Sequence, residues 1–394
     1  MKHRIRISLA LAMVSWSLTS PSQSDPRQAA LALEQQGKTA EAEAAWGALA
    51  RSHPTDAEPF AHLGLLEARQ ENYTDAVASY RKAMALNPTM PRLRFNLGLA
   101  YFKEGAYKDA LQQFRPLVKT EPPDSEEAQS LAILIGMSHY GLAEFAAATP
   151  YLKQAADRDT QNLPLLLTLA HSCLLSQQYP CVLDTFHRIT SLNAESAEAH
   201  MLVGEALDEM KDTNGAIREL RAAVLINPRE PNVHFALGYL LWTQGHTEEA
   251  AHEFQAEINN IPGHNQATLY LADSYIQMNR LEDAKPLLEA SVKTNSANPM
   301  GHLDLGIVYA EAGNKEEALR EFKTAIRLKP DDVNAHWRLG RLYRSMGKTA
   351  EAKVEFDKSK SLNETADERL VKVMSRIPSH ESAPQGAAAP SAVK

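Results

Sequence analysis

The chain has 394 residues, of which 44% are hydrophobic and 23% charged, a composition typical of a folded protein and not of a disordered or collagen-like one. It carries 41 Lys and Arg against 49 Asp and Glu. This acidic balance argues against nucleic acid and anionic lipid as partners, since both bind basic surfaces.

Residues 1–24 have the three-part pattern of a secretory signal. Lys2, Arg4 and Arg6 precede a mostly apolar run over 7–18, and Pro-Ser-Gln-Ser follows at 21–24. The run is shorter than the roughly 20 apolar residues that span a bilayer. Without this segment, 38 Lys and Arg remain against the same 49 acids. We expect an exported protein, periplasmic or extracellular, with no integral membrane insertion after signal removal; the alternative is an uncleaved N-terminal anchor.

A 34-residue pattern repeats through the rest of the chain. Residues 97–114, LGLAYFKEGAYKDALQQF, and 305–322, LGIVYAEAGNKEEALREF, share Leu-Gly, Tyr, Gly, Ala and Phe at the same positions. Sliding the sequence by 34 residues predicts ten units, with one excess of four residues at 125–128. The predicted units are 23–56, 57–90, 91–124, 129–162, 163–196, 197–230, 231–264, 265–298, 299–332 and 333–366.

Each unit is predicted to form two amphipathic helices with a Gly or polar break between them. Pro close to the end of many units stops the second helix, because Pro lacks the amide proton. Small residues recur at three positions, where we expect two helix backbones to approach closely; this would offset the cost of about 1 kcal/mol for Gly in a helix. One of them, late in the second helix, often holds Ala, as at Ala83, Ala155, Ala223 and Ala325. The Gly of the first helix are Gly64, Gly98, Gly136, Gly204, Gly238, Gly306 and Gly340. The Ala of the second helix are Ala42, Ala76, Ala110, Ala148, Ala216, Ala250, Ala284, Ala318 and Ala352.

These units resemble tetratricopeptide repeats, with Leu-Gly, an aromatic residue, Ala, Phe and Pro at the family's offsets. The resemblance implies an all-α fold, a right-handed superhelical solenoid of stacked antiparallel helix pairs over 25–366, in which first helices line a concave groove. Stacking agrees with the physics, since one helix pair cannot bury its own apolar faces. Thr160 in place of Pro and Val182 in place of Ala are local departures.

Two further segments complete the predicted organisation. Thr365-Ala-Asp-Glu368 has the form of a capping box, which predicts a separate short helix over 365–376 that covers the end of the stack. Residues 377–394 are rich in Pro, Ala and Ser and are predicted to be disordered.

The only two cysteines, Cys173 and Cys181, lie eight residues apart on either side of a predicted helix turn. They are too few for a disulfide scaffold or for a zinc site of paired CxxC motifs. An oxidising compartment would permit a bridge between them. The interpretation we favour is that Cys173 is a small buried apolar residue.

The resemblance places candidate ligand-binding residues on the groove-lining face of the first helices, which is the face away from the recurring small residues. They are Phe95, Leu99, Phe102, Met137, Tyr140, His171, Phe235, Tyr239, Trp242, Trp337, Arg338 and Arg341. Aromatic residues at such positions also stack neighbouring repeats, which we take as the default role. Tyr239 is the stronger candidate, because its position is more often polar in the family. An apolar groove suits a peptide or helix with buried apolar anchors.

Other chemistry is weakly supported. His200, His234, His302 and His336 share one position, but each is on a separate helix, and packed helix axes stand about 8–10 Å apart while zinc ligands lie about 2 Å from the metal. We expect these His to fill a half-buried position between repeats, with no metal and no cofactor. HExxH, GxSxG and Gly-rich phosphate loops are absent from the sequence.

The sequence therefore predicts a non-catalytic scaffold that binds a protein or peptide partner in its groove, in a cell-envelope assembly or secretion complex. The first alternative is a glycan-binding accessory protein of polysaccharide export, with exposed aromatic rings stacking on sugars. An enzyme is the remote alternative, and the oligomeric state is left open.

Overall fold

The computed structural model describes residues 25–374, except 121, 123, 124, 193 and 194, and of 365–374 it describes the backbone. The predicted signal at 1–24 and the predicted tail at 377–394 lie outside the described residues. Every regular element within the described residues is an α-helix, which confirms the all-α prediction. The chain divides into an N-terminal part that ends at Glu230 and a C-terminal part that begins at Pro231.

The N-terminal part contains six pairs of adjacent, mutually packed helices. They are α1 (Pro26–Gln35), α2 (Thr39–Ser52), α3 (Ala57–Arg69), α4 (Tyr73–Leu86), α5 (Leu93–Glu104), α6 (Tyr107–Val118), α7 (Glu126–Gly141), α8 (Phe145–Arg158), α9 (Leu163–Leu175), α10 (Tyr179–Ser191), α11 (Ala197–Glu209) and α12 (Thr213–Ile226).

The C-terminal part contains four such pairs. They are α13 (Val233–Thr243), α14 (Thr247–Asn260), α15 (Asn265–Gln277), α16 (Leu281–Thr294), α17 (Pro299–Glu311), α18 (Lys315–Leu328), α19 (Val333–Ser345) and α20 (Thr349–Met374). In both parts each odd-numbered helix is the first helix of a pair and packs against the even-numbered helix that follows it.

The turn inside each pair contains one residue with a left-handed backbone. At Gly105 (φ 85°) the amides of Gly105 and Ala106 bond back to the carbonyls of Phe102 and Tyr101, which closes the end of α5. Gly occupies this position in half of the pairs, and other residues occupy it in the rest. The left-handed residues are Gly37, Glu71, Gly105, Ala143, Gln177, Lys211, Gly245, Asn279, Gly313 and Gly347. The repeat therefore imposes this turn even where the residue lacks the freedom of Gly.

The recurring Gly of the first helix lies against a bulky side chain of the second. A Cβ on Gly306 would stand 2.6 Å from the Phe322 ring, and one on Gly98 would stand 2.6 Å from the Phe114 ring. In other helix pairs a different bulky residue replaces the Phe: Tyr80 lies beside Gly64, and Leu152 lies beside Gly136. The recurring Ala of the second helix are all buried. The small residues thus admit a large side chain between two closely packed helices.

The structure places the four-residue excess at the start of α7. This helix begins at Glu126, directly after the excess begins, and has 16 residues, whereas the neighbouring first helices α5 and α9 have 12 and 13. The side chain of Ser125 caps it by accepting a hydrogen bond from the amide of Ala128. The excess therefore lengthens α7 by about one turn.

The separate helix predicted over 365–376 does not form, because α20 runs without a break from Thr349 to Met374. The other second helices end near Asn-Pro, Lys-Pro or a similar stop, whereas Ser361 to Asp367 contains neither Pro nor Gly. The capping-box pattern at Thr365 therefore lies inside a helix that had no signal to end.

The structure joins the two cysteines by a disulfide, so the favoured interpretation of Cys173 as simply a buried apolar residue was wrong in this respect. Cys173 on α9 is fully buried, as expected, but its Sγ is bonded to that of Cys181 on α10. The turn between the two helices brings the Cα atoms within 5.9 Å, inside the range that a disulfide spans.

Candidate functional site

In the N-terminal part, the candidate residues on α5 serve packing. Phe95 lies against Phe114, with ring centroids 6.0 Å apart, and Phe102 lies against Tyr107 at 5.7 Å. Both are half-buried and, with Leu99, contact the apolar cluster that α6 and α7 share. These three residues therefore join neighbouring repeats, which is the default role given to them above.

The candidates on α7 and α9 form a small ring cluster. The Tyr140 hydroxyl hydrogen-bonds to Nδ1 of His171, and Phe145 lies edge-on to both rings. Burial lowers the pKa of His171 and raises that of Tyr140. Met137 packs beside them against the apolar cluster of α7–α11. The Tyr140 hydroxyl and His171 Nδ1 thus bind each other across α7 and α9.

A cavity of about 350 Å³ lies between α3, α4 and α5. Leu65, Leu99 and Tyr80 form part of its apolar wall, and Arg69, Asn96 and Lys103 add polar groups. Arg69 is already engaged, since its guanidinium lies 3.3 Å from a carboxylate oxygen of Glu34.

In the C-terminal part, α13 and α15 bring four aromatic rings together. Phe235, Tyr239 and Trp242 lie along α13, and Tyr270 of α15 packs against all three, with ring centroids 5.0–6.0 Å apart. We call these four residues the aromatic face. Sequence reasoning missed Tyr270, although it is an aromatic residue in the unit directly after Trp242. Tyr239 is 38% exposed, so the face reaches solvent.

A buried carboxylate positions the start of α13. Asn232, with φ 66°, precedes the helix and makes no side-chain cap. Instead Glu257 of α14, which is fully buried, accepts hydrogen bonds from the backbone amides of Asn232 (2.9 Å) and Phe235 (3.1 Å). A carboxylate at a helix N-terminus is stabilised by the free amides and the helix dipole. Glu257 thereby fixes the helix end that carries Phe235.

Two acidic residues continue the first-helix face beyond the aromatic rings. Asp273 of α15 accepts hydrogen bonds on Oδ2 from Trp242 Nε1 and from Gln277 Nε2, each at 2.6 Å. Asp304 of α17 is 4% exposed, and its Oδ2 has no hydrogen-bond partner in the described part of the chain. Burial, and then the charge of Asp273, raise the pKa of Asp304 well above its ordinary value. We call Asp273 and Asp304 the acidic pair; sequence reasoning missed both.

The remaining candidates lie on α19. Trp337 is 42% exposed, and the guanidinium groups of Arg338 and Arg341 lie 5.5 Å and 5.0 Å from its ring centroid. Burial, and then the neighbouring Arg341, lower the pKa of Arg338. Trp337 is therefore partly covered by cations, as favoured by the negative face of an indole ring.

The recurring His are engaged with carboxylates of the second helices. In each case Nδ1 lies 2.5–2.7 Å from a Glu 19 residues later in the same unit. The pairs are His200–Glu219, His234–Glu253, His302–Glu321 and His336–Glu355. Nε2 of His302 and His336 also lies within 3.1 Å of a carbonyl oxygen that ends the preceding unit. The His thus hold the two helices of a pair together, and in two units they reach the preceding repeat as expected.

Among the helices that the structure describes, none combines the length and the apolar character needed to cross a membrane.

The fold defines a protein built from tandem helix pairs, and family models identify the repeat. One described as TPR repeat matches 64–105 and 308–347, and one described as tetratricopeptide repeat matches 204–268, 235–299 and 269–322. A further tetratricopeptide repeat model matches 333–365. Together they cover just over half of the chain, which belongs to the tetratricopeptide repeat family. The number of repeats, ten, stays a prediction.

Individual relatives are distant. The chain is 23% identical over 223 residues to the BBSome complex member BBS4 of Bos taurus, a match that covers 49% of this chain and 43% of that protein. It is 22% identical over 170 residues to anaphase-promoting complex subunit 3 of Schizosaccharomyces pombe, covering 43% of this chain and 25% of that protein. The chain thus spans less than half the length of these relatives. It is also similar to the crystal structure of the APC/C hetero-tetramer Cut9-Hcn1, with a TM-score of 0.41 and 15% identity, covering 90% of this chain and 78% of that one.

Proposed function

We propose that the chain is a non-catalytic scaffold whose C-terminal part binds a peptide or helix of a protein partner on the aromatic face. The observation that carries this proposal is that Phe235, Trp242 and Tyr270 surround Tyr239, which is exposed to solvent. Aromatic side chains dominate the energy of protein interfaces because they bury a large rigid area. Membership of the tetratricopeptide repeat family supports a binding role, and the names of both relatives place those proteins in complexes.

The support beneath the face favours recognition over simple packing. Phe254, which is fully buried, lies under Phe235 and Tyr270 at 5.9 Å and 5.6 Å. Glu257 fixes the start of α13, and Asp273 holds the Trp242 indole by its N–H. A binding surface gains affinity when its side chains are held in place before the partner arrives.

We further propose that this scaffold acts in a cell-envelope assembly or secretion complex. The signal pattern at 1–24 supports export, and the Cys173–Cys181 bond suits an oxidising compartment. Detection of the processed chain in the periplasmic or extracellular fraction would test this setting, and its retention in the cytoplasm would contradict it.

Panning random 12-residue peptides on phage against the purified chain tests the binding role. We expect enriched peptides with aromatic or aliphatic anchors, and at least tenfold weaker binding of the corresponding synthetic peptides to Tyr239→Ala. Val354→Ala is the matched control, because it also truncates an exposed apolar side chain (64% exposed) but lies on α20. Enrichment of no peptide, or equal losses in both variants, would contradict the proposal.

A further inference from the structure

The Asp304 carboxyl group lacks a hydrogen-bond donor that its position demands. It lies in the second turn of α17, is 4% exposed, and none of the residues that the structure describes gives its buried Oδ2 a hydrogen bond. Buried polar atoms nearly always have hydrogen bonds, and a buried carboxylate without one is costly. A residue that destabilises the unbound protein in this way is explained if a ligand supplies the missing donor.

The charges around Asp304 favour a positive ligand group. Asp273 of α15 and Asp332, just before α19, repel the Asp304 carboxylate, and Arg338 of α19 attracts it. Asp332 is occupied, because it caps α19 and lies 3.4 Å from Lys329 Nζ. Arg338 does not supply the missing donor: its guanidinium lies 5.5 Å from the Trp337 ring centroid, and its Nε, like Asp304 Oδ2, is buried without a hydrogen-bond partner among the described residues.

The helix that carries Tyr270 and Asp273, α15, packs against both α13 and α17, so the aromatic face and Asp304 have this helix as a common neighbour. Asp273 is hydrogen-bonded to Trp242, and Tyr270 precedes it by less than one turn of α15. Tyr239 and Tyr270 lie edge to face with centroids 5.5 Å apart. Aromatic ring faces attract cations, by an amount that grows as the cation loses water. A basic side chain bound here would meet two carboxylates and the tyrosine rings together.

We propose, building on the peptide-binding function proposed above, that the acidic pair binds one Lys or Arg side chain of the bound peptide beside the aromatic face. The ammonium or guanidinium group would donate to Asp304 Oδ2 and replace the N–H of the exposed Gln277 on Asp273. The neighbouring Tyr239 and Tyr270 rings stack on its aliphatic stem. The apolar anchors of the peptide occupy the rest of the aromatic face.

The test repeats the phage panning with Asp304→Asn, Asp273→Asn and Asp331→Asn in parallel. Asp331→Asn is the matched control, since it removes the same charge from an exposed turn before α19. The native chain and the control should enrich peptides with Lys or Arg at one fixed distance from the apolar anchors, and the other two variants should lose that preference. Replacement of this basic residue by norleucine in a synthetic peptide should weaken binding to the native chain by about ten- to a hundredfold, the range of charge-assisted hydrogen bonds. The same replacement should weaken binding to Asp304→Asn by clearly less, because only Asp273 then remains to accept from the basic residue.

Thermal unfolding of each variant separates recognition from support of the fold. Asp304→Asn should unfold at or above the temperature of the native chain, because it removes a buried carboxylate without a partner. Enriched peptides with no basic position, or equal effects of norleucine on the native chain and on Asp304→Asn, would overturn the inference while leaving peptide binding intact. Reduced stability of Asp304→Asn with the basic preference intact would assign it a structural role. Failure of the native chain to enrich any peptide would refute the proposed function itself.

Discussion

Replacement of Gly306 by Ala tests whether the recurring Gly exists for close packing. A Cβ at this position would stand 2.6 Å from both Cδ1 and Cε1 of Phe322, whereas carbon atoms in contact normally stand about 3.5–4.0 Å apart. Phe322 is 1% exposed, so its ring has no open side toward which to move. Either the ring or the whole of α17 must shift by about 1 Å.

The magnitude follows from two opposing effects. Overpacking of a close-packed core costs about 1–3 kcal/mol. An added Cβ that clashes with two atoms of a fully buried ring should cost an amount in the upper part of this range. Ala stabilises a helix interior by about 1 kcal/mol relative to Gly. We therefore expect Gly306→Ala to lower the free energy of unfolding by about 1–2 kcal/mol.

Gly47→Ala is the matched control for this substitution. Gly47 also lies inside a helix, α2, but the nearest atom to an added Cβ is Nη1 of Arg51 at 3.4 Å, the end of a flexible side chain. The helix gain should then remain, and the protein should be more stable by about 1 kcal/mol. The same chemical change is thus expected to have opposite signs at the two positions.

Urea unfolding followed by circular dichroism should be combined with hydrogen exchange for each helix, because stacked repeats can open locally. Amides of α17 and α18 should exchange faster in Gly306→Ala, and those of α2 more slowly in Gly47→Ala. Equal stabilisation by both substitutions would refute the reasoning, since it would show that the small residue is not required for space. A double-mutant cycle with Phe322→Leu would measure the coupling between positions 306 and 322 directly.

Three further outcomes are expected. Ala143→Gly should raise the free energy of unfolding by about 0.5–1 kcal/mol. Ala143 has φ 58°, and this left-handed backbone costs a residue with Cβ about 1–2 kcal/mol, from which the greater unfolded-state entropy of Gly is subtracted. If urea unfolding showed no gain in stability, this reasoning would be wrong. Reduction of the Cys173–Cys181 bond should lower that free energy by about 2–3 kcal/mol, since a short loop is released in the unfolded chain, and the double Cys→Ala variant should no longer respond to reductant. Asp304 has a raised pKa, so the native state holds its proton more tightly than the unfolded chain does; the stability it contributes is complete below its ordinary pKa of 3.8 and is lost as pH rises through the raised value. The stability of Asp304→Asn relative to the native chain should therefore increase from about pH 4 upward, and a difference that is constant with pH would contradict this.

The repeated features of the fold could be predicted because each occurs many times. Gly98 alone would carry little information, but the same Gly-to-aromatic spacing at Gly238 and Gly306 shows that a large side chain lies over a small one. The helix pairs, their turns and the family follow from such recurrence. The four-residue excess was located in the same way, but that it lengthens α7 by about one helical turn is known only from the structure.

Features that depend on two positions at once were harder to predict. His302 and Glu321 lie on different helices, and neither position alone indicates the other; the constant spacing of 19 residues in four units was the available signal. Asp304 and Tyr270 were missed for a related reason. Each occurs once at its position in the repeat, and the packing of α15 against α13 and α17 is what brings Tyr270 against Trp242 and Asp304 towards the helix that carries Asp273.

The residues that break the repeat gather around the aromatic face. Glu257 occupies the position that Ala83, Ala223 and Ala325 hold in other units, and it is the one charged residue there among the ten predicted units. An isolated buried carboxylate in place of Ala would be destabilising, yet this one is satisfied by two amides at the start of α13. The exception therefore fixes the helix that carries Phe235, Tyr239 and Trp242. A repeat needs no such device to stack, because the other units stack without it, so its presence here is better explained by the need to hold the binding face in place.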